Sequence, residues 1–76
     1  MSTKTLVDLK GGESGVITGY LRGSGAVTRL IHMGLTIGTP FKIVEKLPWG
    51  PIIVEVRGSS LCIGRGLASG ILIKNI

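Results

Sequence analysis

The side chains able to hold a metal or move a proton are few. One His, one Cys and four acidic residues are present, namely His32, Cys62, Asp8, Glu13, Glu45 and Glu55. A tightly held iron or zinc ion takes three or four such ligands. No pair here has ligand spacing, so neither a metal site of the chain's own nor a cofactor is expected. Only a site shared between subunits or with a partner would gather enough ligands. Nucleophilic catalysis needs a base and an orienting group beside the nucleophile. Nothing in the spacing sets His32 or Asp8 beside Ser24, Ser59 or Cys62, and an enzyme is not expected. Gly64, Gly66 and Gly70 invite comparison with a phosphate loop, but such a loop feeds a helix N-terminus. Here an apolar, strand-like run follows and no Gly-Lys-Ser/Thr is present, so the segment is read as a tight connection.

Binding chemistry is what remains. Nine Lys+Arg against four Asp+Glu give a net charge of +5, which would favour an acidic partner. The basic residues are scattered and form no arm. Single-strand nucleic-acid binders need aromatic platforms. Tyr20, Phe41 and Trp49 are too few, and nucleic acid is not an expected partner. The start MSTKTLVDLK has no signal-peptide pattern, and the uncharged stretch Leu30 to Phe41 is too short to span a bilayer. The single cysteine fits a reducing cytoplasm, the expected location, with membrane contact only through a partner.

A protein-binding surface is therefore the main candidate, with Arg29, His32, Trp49, Ile53, Arg57 and Arg65 as its residues. Arg29 and His32 fall on the outer side of a helical pattern, where a merely solvated face is the plainer reading. Trp49 stands in a Pro-Gly turn, either as an anchor for a partner or as a cap on the end of a barrel. Ile53 points opposite to Ile52 and Val54; it is either covered by the helix or part of an apolar patch. Leu30 and Met33 read as the helix's core face, or as the wall of a groove between helix and barrel.

The elements that must carry these residues follow from periodicity. With 76 residues the chain is a single domain, 1–76, and 13 Gly with 3 Pro punctuate it heavily. Lys10-Gly11-Gly12-Glu13 is a turn, and Ser14–Tyr20 a short strand. Ser24 is an N-cap candidate for a helix over about 24–33, with Arg22 to Gly25 breaking the strand before it. Val27, Leu30, Ile31 and Met33 make its apolar face, Thr28, Arg29 and His32 its polar one, and Gly34 its C-cap. From Phe41 the period is two, with Phe41 and Ile43 opposed to Lys42 and Val44. Pro48-Trp49-Gly50-Pro51 turns the chain into Ile52, Val54 and Val56, which alternate with Ile53, Glu55 and Arg57. Gly58-Ser59 turns it again, into Leu61–Ile63. A helical turn over Leu67 and Ala68 and a last strand, Ile71–Ile73, complete the chain. Five short strands and one helix predict a mainly β, strongly bent, partly open barrel of SH3-like or OB type.

The segment LIHMGLTIGTPFKIVEK (30–46) resembles the signature of the ferrous-iron transport protein A (FeoA-like) family. The likeness extends back through LVDLKGGESGVITGY (6–20). It continues forward through the Pro-Trp-Gly-Pro turn, IIVEVRG (52–58) and LCIGRGLASGILI (61–73), so it covers nearly the whole chain. The chain departs from a common family form at the turn, where an Asp often separates Gly50 from Pro51 and a smaller apolar residue stands in place of Trp49. The resemblance implies a five-stranded SH3-like barrel with the helix inserted. It also implies a cytosolic, non-enzymatic accessory of a membrane ferrous-iron transporter. That accessory would bind the transporter's cytoplasmic, GTPase-containing region and modulate or assemble it. The alternative is a stand-alone metal-responsive regulatory module, of the kind at the C-terminus of metal-dependent repressors.

Overall fold

The computed structural model describes residues 4–21 and 24–76, Ser24 by its backbone alone. Strand β1 (Lys4–Thr5) leads into a 3-10 turn over Leu6–Asp8, then β2 (Ser14–Tyr20), helix α1 (Ser24–His32), β3 (Pro40–Lys46), β4 (Ile52–Val56), β5 (Ser59–Ile63), a helical turn α2 (Arg65–Ala68) and β6 (Ile71–Asn75). All strand pairs are antiparallel, in the order β1-β6-β2-β3-β4-β5. The fold is thus the expected SH3-like one, left open, with six strands among the described residues rather than five. The extra strand, β1, is two residues long and has no period to read.

Alternation decides what the sheet buries. Ile17, Phe41, Ile43, Ile52, Val54, Val56, Ile63, Ile71 and Ile73 point inward. Thr18 and Val44 are the extra residues at two register shifts, which bend β2 and β3 around that core. Leu6 and Leu9 join the same core, and so do Leu30 and Leu35, which seat α1 on it.

Helix α1 starts at Ser24 itself, so the expected cap is the first helical residue. The break expected over Arg22 and Gly23 lies outside the described residues. Its end matches the expectation. Gly34 has φ +90°, its N–H donates to Ile31 O (2.9 Å), and Leu35 N–H donates to Leu30 O (2.9 Å). That pair of bonds is the Schellman arrangement, which needs a left-handed residue at this position. Ile31 is a correction: it is 46% exposed, whereas Leu30 is fully buried. Successive helical residues are rotated by about 100°. A short helix resting on Leu30 therefore turns Ile31 off the buried stripe.

The turn between β4 and β5 is a second correction. Arg57 and Gly58 form it, with φ +52° and +81°, and Ser59 already pairs with Val56. Two positive φ values make a type I′ turn, whose twist suits a two-residue hairpin.

Candidate docking site

The six residues expected at a docking surface fall in four places. Arg29 and His32 are exposed in the last turn of α1. Arg57 is exposed at the β4–β5 turn, at the far end of β4 from Trp49. Ile53 is half-buried on the outward side of β4, paired with Glu45 on β3 and Cys62 on β5.

Arg65 reaches the turn that bears Trp49. Trp49 is 96% exposed, so it caps no barrel end. The turn beneath it is braced: the Arg65 guanidinium donates to Leu47 O, Gly50 N–H donates to the same carbonyl at 3.5 Å, and the Lys46 ammonium donates to Val7 O. These contacts hold the loop while leaving the indole in water. An indole without neighbours adds nothing to the core.

Five further large aliphatic side chains are exposed among the described residues, Val44 and Ile76 being two of them, and the other three lie near one hydrogen bond's partners in the chain. Leu21 is 62% exposed, Ile37 63%, and Ile31 has turned outward as described. They lie close in the chain to the two residues of one bond, in which the Tyr20 hydroxyl donates to Leu35 O at 2.6 Å. Leu21 follows Tyr20, and Ile31 and Ile37 flank Leu35 in the chain. The only signal in the sequence was Ile37 lying between Thr36 and Gly38, an apolar residue inside turn chemistry.

Burial raises the Tyr20 phenol above its ordinary pKa. The folded state therefore holds the proton more tightly than the unfolded chain. Its contribution is complete below about pH 10 and is lost as pH rises through the higher folded value. Tyr20→Phe leaves Leu35 O without its partner and is expected to cost about 1 kcal/mol. Chemical denaturation at neutral pH measures that cost, and a pH series above 10 should show a smaller alkaline loss in the variant than in the parent.

Among the described residues no group of three or more His, Cys, Asp or Glu could hold a metal ion. Cys62 and His32 are both exposed. No helix there is long and apolar enough to cross a membrane.

Comparison with known proteins adds the family. The model of the FeoA domain family matches residues 4–75. A curated relative from Methanocaldococcus jannaschii, named for Fe(2+) transport protein A, is 38% identical over 66 residues, covering 87% of this chain and 79% of that protein. A crystal structure of an iron uptake regulatory protein (FeoA) superposes with a TM-score of 0.91 at 33% identity, over 99% of this chain and 100% of that one. A manganese-dependent transcriptional repressor has a TM-score of 0.88 at 13% identity, over 97% of this chain and 42% of its own. That last likeness is one of fold alone.

Proposed function

Because this chain belongs to the FeoA domain family, we propose that it is a cytoplasmic, non-enzymatic accessory of a ferrous-iron transporter. It docks on the transporter's cytoplasmic, GTPase-containing region and assembles or modulates it. The observation that carries docking is Trp49, nearly fully exposed on a turn held by Arg65 and Lys46. Exposed tryptophans that do no packing at home are typical interface anchors, and a loop fixed beforehand loses little entropy on binding. The exposed aliphatic side chains of Leu21, Ile31 and Ile37 are in keeping with the same reading. Any change in GTP hydrolysis would come from ordering the transporter's own switch segments, with no covalent chemistry on this chain.

The test is capture of the transporter's cytoplasmic region by this chain in both nucleotide states. Reproducible absence of capture in both would overturn the reading. Trp49→Ala is expected to weaken capture about thirtyfold, or ~2 kcal/mol, as truncation of a central anchor does. Its thermal midpoint should stay within a degree or so of the parent's, since almost none of the side chain is buried.

A further inference from the structure

We propose that β5 is an open sheet edge that takes up an extended segment of a partner with acidic residues at both ends. This deepens the docking reading, resting on it only for who the partner is. Among the described residues β5 pairs with β4 alone. The type I′ turn fixes the phase of that pairing. Val56 and Ser59 flank a two-residue loop and so form a hydrogen-bonded pair. Pairs alternate in an antiparallel ladder. Leu61 and Ile63 therefore bond to β4, while the backbone N–H and C=O groups of Ser60 and Cys62 point away from it. No other described element bonds to these groups.

Natural edges are usually blunted by a lysine, a proline, a bulge or inward charge. The sequence of β5 is Ser-Ser-Leu-Cys-Ile, its register with β4 is unbroken, and Ser59, Ser60 and Cys62 are exposed. Leu61 packs against the core but stays half-buried. An added strand would satisfy the Ser60 and Cys62 groups and cover Leu61.

Charge selects the occupant. Arg57 lies just before β5 and Arg65 just after it, both exposed; one Arg65 N–H is engaged by Leu47 O, and its charge still stands at that end of the strand. A second copy is disfavoured: pairing β5 with itself through all the Ser60 and Cys62 groups puts Leu61 on the two-fold axis. Arg57 of one copy then faces Arg65 of the other, and like charges opposed across strands are destabilising. Acidic residues at both ends of an incoming strand would meet the same arginines favourably, and strand addition draws its affinity from main-chain bonds.

The probe is a labelled peptide of alternating threonine and valine, long enough to run from Arg57 to Arg65, with acidic ends. Saturable binding is expected, with amide NMR shifts centred on Ser60 and Cys62. The same peptide with lysine ends should bind about tenfold more weakly. Backbone N-methylation of the probe at the residues facing β5 should weaken it by a similar factor, with no change to the protein. Arg57→Asn should bind about threefold more weakly and keep its thermal midpoint, because Asn tolerates the left-handed conformation. Ser60→Pro removes one outward N–H, which an edge strand accommodates, and should weaken the probe about tenfold. Absent saturation, equal affinity for both charge forms, or shifts confined to α1 would overturn the proposal. So would self-association that Ser60→Pro abolishes. Undiminished transporter capture by Ser60→Pro overturns the edge and spares the transporter reading; peptide binding without transporter capture does the reverse.

Discussion

Gly15→Ala is expected to destabilise the fold by about 3 kcal/mol, at the upper end of what overpacking a core costs. A methyl group on Gly15 would lie 2.8 Å from Lys74 O, 2.9 Å from Phe41 Cζ and 3.3 Å from Phe41 Cε1. Neither neighbour yields easily. The carbonyl belongs to β6, which pairs with β2 at Gly15–Asn75 and Val16–Lys74. The ring is 4% exposed and walled in by the core. Gly15 is also the partner of Phe41 across the β2–β3 ladder. The added carbon must therefore spread two strand pairs or expel the ring. For a domain of this size the thermal midpoint should fall by roughly 12 to 24 °C. Circular dichroism melts measure it, and a fall of only a few degrees would mean that β6 or the ring adjusts freely. Phe41→Leu, costly by itself, removes one of the two obstructions. The double variant should cost less than the sum of the two single variants, the sign of a shared steric clash.

What the sequence disclosed was whatever has a period or a special backbone angle. Ile52, Val54 and Val56 announced β4 by strict alternation, and Gly34 announced the end of α1 because few other residues accept φ +90°. What it withheld depends on distant partners. β1 exists because Lys4 and Thr5 pair with Ile73 and Leu72 at the other end of the chain. The 3-10 turn after it is fastened by Asp8, whose carboxylate accepts from the Thr5 N–H at 2.8 Å. The sequence offers Arg65 as a contact residue; that its guanidinium also braces the turn bearing Trp49 follows from the return of the chain from β5. That Trp49 is bare, and that β5 rather than β3 forms the edge, are properties of sheet order. A pattern of two cannot encode which strand comes last.

Leu30→Ala is expected to cost about 3 to 4 kcal/mol, with most of the loss confined to α1. Large-to-small changes at fully buried leucines fall in this range, and the value rises with the cavity left behind. Leu30 is completely buried, whereas Ala26 and Val27 on the same helix, and Met33 just past its end, are only partly covered. A nine-residue helix has too few turns to stand in water without packing. Leu30 also bears the carbonyl that accepts from Leu35 N–H, so loosening it loosens the C-terminal cap as well. The β4 amides sit between two neighbouring strands and do not depend on this contact. Hydrogen exchange should therefore accelerate in α1 well beyond what the global change in stability gives, while β4 follows the global change alone. Equal acceleration in both would show that α1 and the sheet open as one unit. If the selective opening is seen, transporter capture should weaken along with it. Ile31 and Ile37, on either side of the Leu35 cap, keep their places only while Leu30 holds the helix against the barrel.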